Sequence, residues 1–505
     1  MHLRRLAGPA LVLVFLALPS GARAQGSPYL TLDDPDLPLL EHLISRGDVT
    51  DPSPFVRPFT RRDATRVLRQ AQPSADSQLV ARLLKRWDAP VGETTWRAAA
   101  RVGAQGYGAA RRDALQPAGD AHAGEFYGEA AVSGSFGALV VGSRVVAENR
   151  LKYDPDWTGD AEQRSKHVAF RAAEAYVAAQ WRLVHLHLGQ VDRNWGPAGV
   201  PGLGVSNVSY PRPDLALDLV TSRLTAQFLF TPLPSERLAN GDLVERYAAA
   251  HRIGWRPSDR FEVGAWETMI LADEAESGTD AIGSLFSVMT FAAQFGRKAN
   301  TNSILGLDAH WRATHRLQLE AQFAGDDIRL GSTNTAAGEA PRPNRYALTM
   351  GARGALPRGL SWRAHYVRVS ALAYRTSNPL QNFAADGVGT VRVIPDNDEL
   401  TGVISIPVAR SLLMSPYLSW QRQGEGRLDV TPPFNETTPT FLIGTVRRTI
   451  RAAVGLAGGV GPARILADVG VNRVRNADQV LGRSTSSLEG RFIVTVGGAA
   501  QGQLQ

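Results

Sequence analysis

Leu317-Gln318-Leu319-Glu320-Ala321-Gln322-Phe323 is the stretch that decides the fold. Successive side chains of an extended strand point to opposite faces. Leu317, Leu319, Ala321 and Phe323 therefore share one face, and Gln318, Glu320 and Gln322 share the other. Residues 171–181, 261–266, 366–370 and 465–471 alternate in the same way, less strictly. Turn-forming clusters lie between such runs: Asp154-Pro155-Asp156, Arg256-Pro257-Ser258-Asp259, Pro341-Arg342-Pro343-Asn344, Pro395-Asp396-Asn397-Asp398 and Pro432-Pro433. Residues 255–261 read as a strand, a turn and a second strand.

The period of two holds from about Trp96 onward, and a helical period precedes it. Leu37, Leu39, Leu40, Leu43 and Ile44 line one side of a short helix that Gly47 stops. Thr60 with Asp63 three residues on resembles a capping box, and opens a helix through Ala64, Val67 and Leu68 to about Ala71. A third helix runs from Asp76 through Leu79, Val80, Leu83 and Leu84 to Trp87. Helices this short are marginal alone in water and need a body to pack on.

Ahead of the helices stands an export signal. Arg4 and Arg5 form a basic region, residues 11–18 a short apolar one, and Ala22-Arg23-Ala24 a cleavage site, so the mature chain is expected to start at Gln25. The apolar run is too short for the roughly 20 residues of a spanning helix. The sequence contains no Cys, which excludes a disulfide scaffold and a thiolate metal site. Charged residues make up 20% of the chain and mean hydropathy is −0.16. Those values suit strands with one apolar and one polar face. The net charge of +7 includes three leader arginines and no leader acids, which leaves +4 on the mature chain. No Lys/Arg-dense run of the nucleic-acid-binding kind occurs.

About 410 residues follow the helices. At about 10 residues per membrane strand and as many again per connection, they suffice for roughly 16 to 20 antiparallel strands. The expectation is an all-β transmembrane barrel with a small helical subdomain. Residues 1–24 form the leader, 25–95 the helical subdomain and 96–505 the barrel. No 40- to 50-residue repeat of the propeller kind is present.

One segment stands out chemically: Gly189-Gln190-Val191-Asp192-Arg193-Asn194-Trp195-Gly196-Pro197, followed by Ser206-Asn207. Arg193 offers a planar fork of donors and Trp195 a flat amphipathic face, a pair able to grip an acidic sugar. The alternative is that Arg193 sits inside the barrel, paired with a carboxylate and bracing the helical subdomain. Asp326-Asp327 reads as a structural acidic pair facing arginines, since nothing nearby supplies the six to eight oxygens that Ca²⁺ takes. His185 and His187 share a strand face, but no third ligand supports a metal site. No nucleophile elbow, Walker sequence or dinucleotide fingerprint appears, so no catalytic residue, metal or cofactor is expected. Tyr153, Trp157, Trp255, Trp266, Trp311, Trp362, Tyr366, Tyr417 and Trp420 lie near ends of strand-like runs, where aromatic girdles would place them. Trp157, in a polar stretch, could instead be a sugar-stacking platform.

The Arg-x-Trp-Gly-Pro segment with Ser206-Asn207 resembles the signature of the Wzi-like capsule-assembly family. Pro-Phe-Thr-Arg-Arg-Asp at residues 58–63, the region from Asn302 to Asp308 leading to Asp326-Asp327, and Pro395-Asp396-Asn397-Asp398 extend the resemblance over most of the chain. Ala198 and the run Asn207-Val208-Ser209-Tyr210-Pro211-Arg212-Pro213 depart from the family pattern. The chain also ends on a Gly/Ala/Gln tail rather than on an aromatic residue, so Phe492 belongs either to a last strand with an extension or to an unusual final strand. The resemblance implies an 18-stranded outer-membrane barrel of a Gram-negative cell, plugged on the periplasmic side by the helices. It also implies a lectin-like, non-catalytic role on capsular or exopolysaccharide, with Arg193, Trp195, Gly196, Pro197, Asn207, Asp326 and Asp327 as the motif residues. Its partners would be that polysaccharide, outer-membrane lipid and lipopolysaccharide, and a monomer is the expected state. A porin or transporter, and a soluble exported carbohydrate-active β-protein, are the two other classes open at this point.

Overall fold

The computed structural model describes residues 26–88, 94–238, 240–273, 301–327, 344–376, 378–391, 394–409, 411–428 and 441–503. The expected leader and the turn clusters at 341–343 and 432–433 lie outside them.

Eighteen strands close into one barrel. They are β1 (Thr94–Tyr107), β2 (His122–Phe136), β3 (Leu139–Glu148), β4 (Ala169–Gln180), β5 (Val184–Gln190) and β6 (Pro213–Val220). There follow β7 (Leu224–Arg237), β8 (Leu243–Ser258), β9 (Phe261–Asp273), β10 (Thr301–Thr314), β11 (Leu317–Asp327) and β12 (Arg345–Ala355). The last six are β13 (Ser361–Val369), β14 (Asn397–Ala409), β15 (Leu412–Gln423), β16 (Arg447–Val460), β17 (Ala463–Arg475) and β18 (Ser484–Gln503). Each pairs antiparallel with the next, and β18 closes on β1 from Thr95↔Gln503 to Tyr107↔Arg491. Closure satisfies every edge, which is what lets β-structure cross a bilayer.

Alternation sets the two faces. Val102, Val132, Ile253, Leu307, Leu418 and Leu488 point outward and are exposed. The deciding stretch in β11 follows suit: Leu319 and Phe323 are exposed, while Gln318, Glu320 and Gln322 are buried in the lumen. This inside-out pattern, apolar outside and polar within, excludes a soluble β-protein, whose apolar faces would turn inward.

Connections alternate in length. β2–β3, β8–β9, β10–β11 and β16–β17 are joined by two-residue turns at one end, and β1–β2, β3–β4 and β5–β6 by long loops at the other. Two aromatic rows mark the outer surface. Phe136, Trp255, Trp311 and Trp362 lie beside the short turns, and Phe126, Phe170, Tyr366 and Trp420 toward the long loops. Two aromatics expected there face inward instead. Trp266 packs in the lumenal core, and Tyr417 donates to Asp468 at 2.8 Å. Their strand parity is that of the lumenal residues Glu262 and Ser419, and parity overrides nearness to a strand end. Phe492 belongs to the last strand, which continues to Gln503.

The N-terminal helices are α1 (Leu37–Arg46), α2 (Arg61–Arg69) and α3 (Ser77–Trp87). Thr60 Oγ1 accepts from Asp63 N at 3.1 Å, so the cap read from the sequence is present, and Asp76 Oδ1 accepts from Gln78 N and Leu79 N to cap α3 as well. α2 ends at Arg69, two residues short of the expected limit. Leu39, Leu40, Leu43, Ile44, Leu68 and Leu83 are buried in one cluster with Leu413 of β15. Each such burial stabilises by about 1.5–3 kcal/mol. Gly47 ends α1 at φ 78°, in the left-handed region, and passes so close to His315 O in the β10–β11 turn that a Cβ would collide. The helices thus fill the short-turn end of the barrel.

Candidate functional site

The segment after β5 turns into the lumen. Arg193 pairs with Asp214 at the start of β6, Nε to Oδ2 at 2.8 Å and Nη2 to Oδ1 at 2.9 Å, and its Nη2 also lies 3.0 Å from His187 Nδ1. Burial works against the Arg193 charge, but the Asp214 carboxylate prevails and pushes its pKa further up. Asn194–Trp195 pairs antiparallel with Val56–Arg57 of the helical subdomain, and Trp195 is buried against Ala216, Leu229 and Ala250. Asn194 Nδ2 donates to Val200 O at 3.0 Å and its Oδ1 accepts from Gly202 N at 2.7 Å, folding the Gly-Pro loop back on itself. Gln322, from the polar face of the deciding stretch, donates to Trp195 O at 2.8 Å and accepts from Leu203 N at 2.8 Å. Gly196 and Gly202 touch backbone to backbone, which leaves no room for a Cβ at either. Pro197 O accepts from Val200 N at 3.0 Å.

The other expected residues disperse. Asn207 lines the central cavity. Asp326 accepts from Tyr374 N at 2.9 Å and so holds the start of the loop over residues 370–391. Asp327 faces Arg345 in the strand register. Trp157, half-buried, meets Tyr210 edge to face at 4.9 Å, and Arg112 lies 3.7 Å above the Tyr210 ring. Loop 370–391 folds inward, with Tyr374, Phe383 and Val391 packed against Leu203 and Trp266, and Tyr374 OH donates to Leu203 O at 3.0 Å.

A second set of residues, unmarked by any motif, docks the helices. Arg353 on β12 meets Asp51 at 2.8 Å, Glu320 at 2.8 Å and Glu41 at 3.3 Å, while Arg57 reaches the same Asp51 and Glu41 at 3.0 Å. Burial alone would raise the Asp51 carboxyl, but Arg57 and Arg353 hold it far below the usual carboxylate range. His42 Nδ1 lies 2.7 Å from Ser361 Oγ, and Gln318 Nε2 donates to Ile44 O at 2.6 Å. The signal that could have found Arg353 is its register opposite Gln318, on the polar face of β11.

Between helices and loops remains a cavity of about 750 Å³. Arg101, Arg144, Arg171, Arg363, Arg451 and Arg491 contribute to its wall. Arg101 pairs with Glu129, Arg144 with Asp33, Glu129 and Glu174, Arg171 with Glu148, and Arg451 with Asp468. Burial would raise the Asp33 carboxyl, but Arg144 outweighs it and holds Asp33 at about 2. Burial pushes the Asp192 carboxyl up to about 6, against the pull of Arg112. The cavity falls within the roughly 300–1,000 Å³ of small-ligand sites.

A closed barrel of eighteen strands, with an apolar outer band, two aromatic rows and an ion-paired interior, is an outer-membrane β-barrel. Residues 106–338 match the family model for capsule assembly protein Wzi. The fold is similar to that of Escherichia coli Wzi, described as an outer-membrane protein involved in group 1 capsule assembly and a carbohydrate-binding β-barrel. The TM-score is 0.63 and the identity 15%, over 94% of this chain and 99% of that one. The Pseudomonas aeruginosa proteins OprD, with a TM-score of 0.46 and 11% identity, and OpdK, with 0.44 and 10%, also align. They cover 82% and 81% of this chain and 97% and 99% of their own. No curated protein sequence matches.

Proposed function

We propose that this barrel binds or anchors surface polysaccharide, capsular or exopolysaccharide, as a lectin-like protein without catalysis. The observation that carries the reading is a lumen entered from both ends yet keeping a cavity walled by arginines and carboxylates. Helices enter at the short turns and loops 191–212 and 370–391 at the other end, which disfavours an open pore. Arginine forks suit the carboxylates of acidic sugars. The family match supports the same reading, since Escherichia coli Wzi is described as carbohydrate-binding.

In this scheme residues 1–24 are removed, the helical subdomain of 25–95 faces the periplasm, and the barrel of 96–505 stands as a monomer among outer-membrane lipid and lipopolysaccharide. Its long loops face outward. Asn207 touches sugar, and Arg193, Trp195, Gly196 and Pro197 hold the loop that presents it. Asp326 and Asp327 anchor the neighbouring loop, and Trp157 offers a stacking face beside Tyr210.

Deleting the gene tests the proposal. Surface polysaccharide should pass from the cells into the medium, and plasmid-borne protein should restore it to the cells. Unchanged cell-bound polysaccharide in the deletion strain would refute the function.

A further inference from the structure

Arg363 and Arg491 stand apart from the four ion-paired arginines of the cavity wall. Arg101, Arg144, Arg171 and Arg451 each have a carboxylate, whereas Arg363 and Arg491 have none within ion-pair distance among the described residues. The reason is visible for Arg491. Its register partner on β17 is Asp468, but that carboxylate is taken by Arg451 and by Tyr417 OH. The charges that act most strongly on Arg491 are two more guanidiniums, Arg150 and Arg112, with Asp468 and Glu148 behind them. Glu489, two residues along the same strand face, reaches toward Gly108. Arg363 stands beside the motif loop, its guanidinium filling the space where Gly199 would carry a Cβ, and its Nε is buried without a partner. A buried guanidinium left unpaired is costly and is relieved by any anion of matching geometry.

The wall between them is small and polar. Thr401, Ser415, Ser419 and Gly455 line the cavity from β14, β15 and β16. Their short side chains create the space; Thr401 Oγ1 donates to Glu399 at 2.9 Å and lies 2.7 Å from Ser419 Oγ, which leaves hydroxyl acceptor positions for a sugar ring. On the long-loop side the cavity is bounded by partly exposed Arg111 and Asp113 and by Asn207.

We propose that Arg363 and Arg491 are two anchor points of an acidic-oligosaccharide subsite in the lumen: each guanidinium takes a carboxylate, and Thr401, Ser415 and Ser419 meet ring hydroxyls along the wall between them. This inference rests on the polysaccharide-binding reading and gives it a ligand class. The carboxylates belong to sugars of one polysaccharide chain, which enters between loops 108–121 and 191–212.

Calorimetric titration of the full chain in detergent tests the subsite, with trigalacturonate as the acidic probe and maltotriose and inorganic phosphate as controls. Trigalacturonate should bind, and should weaken as salt is raised. Arg363→Gln and Arg491→Gln should each lose at least ~10-fold in affinity, with Arg491→Lys between them and the parent. Each variant should keep the heat-dependent gel shift of a folded barrel. Variants that bind trigalacturonate as tightly as the parent would overturn the subsite. Maltotriose binding equally well would remove the need for a charge, and phosphate binding equally well would reduce the site to a plain anion site. Cells settle which reading has failed. Retention of polysaccharide by the Arg363→Gln/Arg491→Gln double variant, in a background where deletion sheds it, defeats the subsite and leaves the function standing. A deletion that sheds nothing defeats the function itself.

Discussion

Replacing Arg353 by Ala should release the helical subdomain while leaving the barrel closed. The side chains of Arg353, Asp51 and Glu320 are no more than 5% exposed, and Glu41 is 15% exposed. Without the guanidinium, Glu320 is left on the wall with no cation, and Asp51 and Glu41 share Arg57 alone. Removing one partner of a buried ion pair costs about 3–5 kcal/mol. The remaining Arg57 and the partial hydration of Glu41 place this case at the low end, about 3 kcal/mol. The cost falls on the docked state, because undocking returns Asp51 and Glu41 to water. The docking equilibrium should therefore weaken on the order of 100-fold. Trypsin cleavage within residues 26–88 of detergent-purified protein reports that opening while reclosure outpaces cleavage. The cleavage rate should rise by the same order, with the gel shift of the barrel unchanged. A rate within twofold of the parent would mean that the apolar cluster around Leu40 and Leu83 docks the helices alone, and that the ion cluster adds nothing.

Two further perturbations probe the lumen. A methyl group at Gly202 would run into the carbonyl oxygens of Trp195 and Val205, so Gly202→Ala should destabilise the motif loop by about 2 kcal/mol. The temperature at which the gel shift disappears should drop, and an unchanged transition would mean that the loop yields freely. Burial and the neighbouring Arg46 depress the His42 imidazole to about 4 from its usual 6.5. The docked state prefers the neutral ring, so this contribution is complete above about pH 6.5 and is lost as pH falls toward 4, by up to about 1.4 kcal/mol per pH unit. Proteolysis of the helical segment should accelerate across that window in the parent, and in His42→Gln stay flat down to about pH 5, below which protonation of Asp51 in the undocked state adds its own dependence. Acceleration on the alkaline side instead would contradict the assignment.

The barrel was legible because strand alternation is local. β11 shows its two faces within seven residues, and Thr60, Gly47 and Asp76 mark their helix ends by backbone chemistry that needs no tertiary partner. What escaped was pairing at a distance. Arg193 could be read as an ion-pair candidate, but nothing in the sequence selects Asp214 among so many carboxylates. Pairing opposite Gln318 puts Arg353 on the polar face, but nothing in the sequence selects Asp51 and Glu41, some three hundred residues before it, as its partners. The inward fold of loop 370–391 was hidden for the same reason, since Tyr374 and Phe383 look like ordinary loop aromatics until Leu203 and Trp266 are beside them. Trp266 and Tyr417 show the limit of reading aromatics by position along a strand without counting parity from a lumenal neighbour.

The seam between β1 and β18 imposes an order of assembly. Strands from the two ends of the barrel sequence meet along it, so the cylinder stays an open, curling sheet until β18 has been laid down. The helices at residues 37–87 precede every barrel strand in the chain, yet their resting place touches β11, β12, β13 and β15. They must nest against the sheet while it is still open, or thread a narrow mouth afterwards. The first route is far less obstructed, and it gives the helices a second role as an internal former around which the wall is wrapped. A chain whose helices cannot nest would then be slow to close its seam, even though every strand is intact.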